Sequence, residues 1–172
     1  KKVLKKINGK GRGMVVTRSR LHCVKYKLEF DKQMKEINLP YKCLVGFSGT
    51  VHDSDNGQDY TERSMNGFTD EEIKENFKDP KYRLLIVNNK FQTGFDEPLL
   101  HTMYVDKTLS GLQCVQTLSR LNRTTSGKTD TFVMDFVNEP EMIKESFKSF
   151  YEGTILSEGT EPDRLYSIEQ EV

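Results

Sequence analysis

No run of apolar residues in this 172-residue sequence approaches the ~18–20 that a membrane-spanning helix requires, and no signal-peptide pattern opens it. The expectation is an intracellular, cytoplasmic protein with no membrane partner. Cysteines number three, Cys23, Cys43 and Cys114, an odd and widely separated set with no CxxC or CxxxH spacing. That supports neither a disulfide framework nor a zinc site. His22, His52 and His101 are equally scattered, so no metal site is expected. A calcium loop is also missing: Asp53, Asp55 and Gly57 imitate one, but the glycine comes a position early and Ser64 stands where a bidentate glutamate is needed. No phosphate loop is present. The basic, glycine-rich opening "KKVLKKINGKGRG" (1–13) has neither the preceding strand nor the Lys-Ser/Thr step of GxxxxGK[ST]. An initiator methionine is lacking too, and the chain starts inside a basic run, as a piece of a longer polypeptide would.

Net charge is also zero, but only in sum. Residues 1–42 hold 13 of the 26 Lys/Arg against three acidic residues, Glu29, Asp31 and Glu36, so the first quarter is strongly basic. Such asymmetry fits either a polyanion-facing edge or a solvated lysine-rich helix. With 35% hydrophobic and 30% charged residues, the chain has the composition of one globular domain with a wet surface.

Five short apolar runs are present: "MVVT" (14–17), "KCLVGFSGT" (42–50), "RLLIVNN" (83–89), "TMYVD" (102–106) and "TFVMDFVN" (131–138). Helical patterns lie near 22–37, 69–78, 111–123 and 140–151, the last opening an acidic tail with Gly and Pro punctuation that is expected to dock on a neighbouring domain. The opening 1–13 reads as a helix tail ending in a turn, with Asn8-Gly9, Gly11 and Gly13 as positive-φ positions. Residues 51–66 form a polar insertion around an Asn56-Gly57 turn. Strand and helix alternate, which predicts an α/β fold with a mainly parallel sheet covered on both faces. Ligands then bind beyond the carboxyl ends of the strands, where Thr17-Arg18-Ser19, Ser48-Gly49-Thr50, Asn88 to Asp96 and Asp106-Lys107 are expected.

In "VQTLSRLNRT" (115–124), a helix at 100° per residue puts Gln116, Arg120 and Arg123 on one stripe and Cys114, Val115, Leu118 and Leu121 opposite. That is either a solvated face or an anion site. Upstream, "NNKFQTGFDEPLLHTMYVDK" (88–107) offers Thr93 and Gly94 for close backbone approach and Asp96 as an acceptor, ahead of a strand expected at the sheet edge.

T-G-F-D, a strand ending in Asp and then Q-x-x-x-R-x-x-R in this order resemble motifs V and VI of the superfamily 2 helicases. "MVVTRSRLHCVKY" (14–26), "FSGTV" (47–51), "YTE…MN" (60–66), "KFQTGFDEPLLHTMYVDK" (90–107) and "VQTLSRLNR" (115–123) together look like the motor subunit, R, of the type I restriction enzymes. The resemblance covers roughly 14–137. It implies a RecA-like three-layer α/β/α domain that lacks its own P-loop, with 1–13 as the end of a linker or preceding helix and 138–172 as the start of a helical extension.

It further implies that Arg120 and Arg123 are arginine fingers, with Gln116 near the γ-phosphate or attacking water. A fixed fork of donors with permanent charge suits a transferring phosphoryl group. Gly94 and Asp96 would touch the nucleotide's ribose side, and Thr93 would help link ATP to DNA. Thr17, Arg18 and Ser19, with Ser48, Gly49 and Thr50, would hold DNA phosphates. ATP and Mg2+ would be shared with a first RecA-like domain outside this sequence, since Walker A, the D-E-x-H box and nuclease carboxylates are missing; alone, the chain would be inactive. Double-stranded DNA, a nuclease domain of the same subunit, and methyltransferase and specificity subunits are the implied partners. Another superfamily 2 helicase or translocase, and a non-catalytic RecA-like module binding nucleic acid or partners, stay open, although the words in 47–66 favour the restriction subunit.

Overall fold

The computed structural model describes residues 2–91 and 95–157. Its centre is a five-stranded sheet whose strands all run parallel: β1 (Arg12–Thr17), β2 (Lys42–Gly46), β5 (Tyr82–Val87), β6 (Leu100–Asp106) and β7 (Phe132–Asp135), in the order β2-β5-β1-β6-β7. The register pairs Val15 with both Ile86 and Tyr104. Successive strand side chains point to opposite faces, so each aliphatic run feeds two cores. Val15, Val45, Leu84 and Ile86 meet Cys23 and Val24 of α2 (Arg20–Glu36) on one face. Met14, Val16, Leu44, Leu85, Val87, Met103 and Val105 meet Ile73 of α4 (Ile73–Asn76), Phe77, and Cys114 of α5 (Gly111–Leu118) on the other. A helix α6 (Pro140–Ser157) adds Ile143 and Phe147 to that second core. This is the α/β fold read from the alternation, a parallel sheet covered by helices on both faces.

Local chemistry sets the boundaries. Ser19 caps α2, its hydroxyl accepting from the His22 amide at 3.2 Å. Residues 51–60 form a hairpin of β3 (Val51–Asp53) and β4 (Gln58–Tyr60), turning at Asn56-Gly57 with Gly57 at φ +69°, where a side chain would be strained. Thr61 then caps α3 (Glu62–Asn66) with a reciprocal capping box to Ser64. Position 46, the last of β2, takes glycine because a Cβ there would lie 2.6 Å from the Phe91 ring, which meets Phe95 at a 47° tilt with centroids 5.3 Å apart.

Several expectations are corrected. The strand 102–106 is interior, between β1 and β7, and not at an edge. The helical pattern at 69–78 resolves into a 3-10 turn, Asp70–Glu72, and the four-residue α4. The opening helix α1 (Lys2–Gly9) is broken at Lys6–Asn8, and positive φ falls on Ile7, Asn8 and Gly9, while Gly11 and Gly13 have none because Gly13 is already in β1. The run 131–138 is strand only over Phe132–Asp135, with Phe132, Val133 and Met134 exposed on that edge. The tail beyond Ser157 lies outside the described residues.

Candidate functional site

The arginine segment does not continue as one α-helix. α5 ends at Leu118, a 3-10 turn follows over Ser119–Asn122, and Arg123 is extended at ψ 130°. A 3-10 residue advances about 120° against 100° in an α-helix, so Arg120 rotates off the Gln116 stripe towards the core. Gln116 and Arg123 are exposed, whereas Arg120 is 8% exposed and its Nη1 is buried with no hydrogen-bond partner among the described residues. Burial pushes its guanidinium down to about 10, so it stays charged at neutral pH. A buried, charged, unpaired donor is costly. Arg123 Nε lies 3.3 Å from Asp96 Oδ1, an exposed pair that joins the two halves of the sequence motif. Beside it a shallow cavity of about 240 Å3 is lined by Arg123, Thr124, Lys128 and Thr131.

Asp96 is not at the carboxyl ends of the strands, as its place after β5 suggested. Parallel strands need a return crossing between β5 and β6, and on it Phe95 is buried against Phe77 at 6.2 Å. By Asp96 the chain has reached the amino-terminal end of the sheet. The next residue, Glu97, forms a buried ion pair with Arg12 at the start of β1, the side chains being 7% and 5% exposed. Arg12 also donates to the Lys78 carbonyl at 2.7 Å, and Glu97 accepts from the Leu99 amide at 3.0 Å. Thr93 and Gly94 lie outside the described residues.

The opposite edge gathers the remaining candidates. Thr17 is fully buried, its hydroxyl 2.9 Å from the Ser19 carbonyl, 3.1 Å from the Val87 carbonyl and 3.0 Å from Cys23 Sγ, so it braces the strand ends from inside. Ser19 is occupied as the α2 cap. Arg18 is exposed and donates to the buried Asp106 at 2.7 Å, which also accepts from Tyr26 Oη at 2.9 Å; the carboxylate holds the Arg18 guanidinium above its ordinary value. Ser48, Gly49 and Thr50 are exposed and line an open cavity of about 380 Å3 with Thr61, Arg63 and Lys90. Arg20 Nη1 donates to the Ser48 carbonyl at 2.8 Å, and Gly49 sits at φ +76°. Strands of this length separate the two edges by about 20 Å.

A family model described as type I restriction enzyme subunit R domain 3 matches residues 55–138. A Methanocaldococcus jannaschii protein named as a type I restriction enzyme endonuclease subunit, MjaVIIP, is 31% identical over 156 residues, 81% of this chain and 14% of its own length. The chain belongs to the type I restriction enzyme R-subunit family. A Staphylococcus aureus type I restriction enzyme endonuclease subunit, SauCOLORF180P, is 49% identical over 51 residues, 30% of this chain and 6% of its own. The chain thus spans a small fraction of the curated R subunits it matches. Among solved structures, the C-terminal domain of the DEAD-box protein Dbp5 superposes with a TM-score of 0.46 at 12% identity, covering 82% of this chain and 70% of that one.

Within this R-subunit domain, Arg120, with its orphaned Nη1, lies in the 3-10 turn, and the exposed Arg123 directly follows that turn; the cavity beside Arg123 is not lined by Arg120. Among the described residues no group of three or more His, Cys, Asp or Glu side chains could hold a metal ion, and no helix is long and apolar enough to cross a membrane. Sequence reading missed Arg12 and Glu97 near Asp96 and Arg20, Arg63 and Lys90 near Ser48–Thr50. Of these, Arg63 and Lys90 carried a signal only as basic residues in otherwise polar segments.

Proposed function

We propose that residues 14–137 are the second motor domain of an ATP-driven, DNA-translocating R subunit, with 1–13 ending a linker and 138–172 beginning a helical extension. The observation that carries this reading is Arg120: its buried Nη1 has no hydrogen-bond partner among the described residues, and a γ-phosphate arriving from another domain would supply the missing acceptor. Gln116 is then placed to meet the attacking water, with Thr93, Gly94 and Asp96 on the ribose side. ATP and Mg2+ would be held by the first RecA-like domain, and the nuclease domain, methyltransferase and specificity subunits would supply cutting and target choice. The chain alone would be inactive. A non-catalytic module would leave Arg120 unexplained.

Double-stranded DNA would lie across the other edge. Arg18, Ser48, Gly49 and Thr50, joined by Arg20 and Arg63, offer guanidinium, hydroxyl and backbone donors to phosphates, contacts that position DNA without reading its sequence. Holding both edges on one sheet lets cleft closure on ATP move the DNA contact.

The test is DNA-stimulated ATP hydrolysis by the complete R subunit against salt concentration, wild type beside Arg63→Ala. Loss of one phosphate contact raises the DNA concentration for half-stimulation and reduces the slope of log affinity against log salt by about one, with turnover at saturating DNA unchanged. An unchanged slope and half-stimulation point would remove Arg63 and its cavity from the DNA path.

A further inference from the structure

Lys128 stands where three carbonyls converge. Its ammonium donates to the Leu121 carbonyl at 2.7 Å, the Arg123 carbonyl at 2.6 Å and the Pro98 carbonyl at 3.3 Å. Three donors are all that an ammonium has, so its hydrogen-bonding capacity is filled by backbone. The first two acceptors are the residue after Arg120 and Arg123 itself; the third belongs to the crossing segment, two residues beyond Asp96. The group is half-buried, and burial lowers its pKa while Glu97 acts in the opposite sense. A cation also suits the unpaired carbonyls at the end of a helical turn. Gly127, at φ +81°, gives the chain the bend that precedes it.

We propose that Lys128 is a positioning residue that locks the Arg120–Arg123 turn to the Asp96 segment, so that both arginines are set before nucleotide arrives. The Arg123 side chain pairs with Asp96, but that pair is exposed, and exposed pairs contribute little. Three charge-assisted bonds to backbone fix the turn more firmly than that pair does. The inference rests on the motor reading, since it assigns Lys128 a role only through Arg120 and Arg123.

The experiment compares wild type, Lys128→Met, Lys128→Arg and Arg123→Ala in the complete R subunit, measuring kcat and KM for ATP at saturating DNA, with hydrogen exchange at residues 121–125. Met keeps the length of the stem and removes all three donors. Misplacing a catalytic group by about 1 Å costs up to about 10²-fold, so Lys128→Met is expected to lower kcat about 10–100-fold with KM for ATP unchanged, to speed exchange at 121–125, and to be largely rescued by Lys128→Arg. A kcat within about twofold of wild type, or a loss that Arg does not rescue and that comes with a raised KM or a lower melting temperature, overturns the positioning role. If Arg123→Ala is itself silent, the motor reading falls and Lys128 falls with it; if Arg123→Ala is severe and Lys128→Met is silent, only the Lys128 inference fails.

Discussion

Arg120→Met in the complete R subunit is expected to lower DNA-stimulated ATP hydrolysis by about 10³-fold or more, while the same change leaves the fold as stable as before or makes it more stable. The two halves of this result have one cause. Nη1 of Arg120 is buried with no partner among the described residues, and the side chain is charged at neutral pH. Leaving such a donor unsatisfied costs about 1–3 kcal/mol, which an apolar side chain of similar length recovers. On the proposed reading, such a donor meets its acceptor only when charge develops on the phosphate, and so contributes most in the transition state. Denaturant unfolding of this chain, set beside steady-state hydrolysis by the complete subunit, checks both halves. A variant that loses activity because it loses stability would contradict the account.

Glu97→Ala is the change expected to damage the fold most, by about 3–5 kcal/mol. Arg12 and Glu97 are both almost fully buried, and removing the carboxylate leaves a guanidinium that faces the Phe77 ring at 5.2 Å and, among the described residues, has the Lys78 carbonyl as its remaining acceptor. Because Glu97 also accepts from the Leu99 amide, the segment that delivers Asp96 loses its anchor as well. Arg12→Met combined with Glu97→Leu should return most of the loss, since replacing a whole buried pair by apolar residues is often close to neutral. A double-mutant cycle by urea denaturation reads the coupling. Additive losses would show that the two residues do not act as a pair.

The core was legible because each strand is a dense aliphatic run and parallel strands buried on both faces need no alternation; Val15 and Met14, neighbours in sequence, serve opposite cores. The arginine stripe read from helical periodicity is not the geometry found. Nothing in "LSRLNR" marks the change from α to 3-10 after Leu118, and that change decides that Arg120 is buried while Gln116 is exposed. The place of Asp96 was available in principle. A residue four positions before Leu100, the first of β6, must lie near the start of that parallel strand, whatever strand precedes it. Lys128 gave no signal, because its value lies in three carbonyls from two separate segments. Thr17 misleads in the opposite way: a hydroxyl at a strand end suggests a phosphate contact, and here it bonds inward.

The central claim is that the turn of Arg120 and Arg123 meets a nucleotide held by another domain when charge moves on the phosphate. Its most direct test is the affinity of the complete R subunit, with DNA, for ADP–aluminium fluoride and for ADP, comparing wild type with Arg123→Ala. The account predicts that affinity for the transition-state mimic falls by about 10²-fold or more while affinity for ADP is unchanged. Equal affinities of wild type and variant for both ligands would contradict it and return Arg123 to a solvated surface.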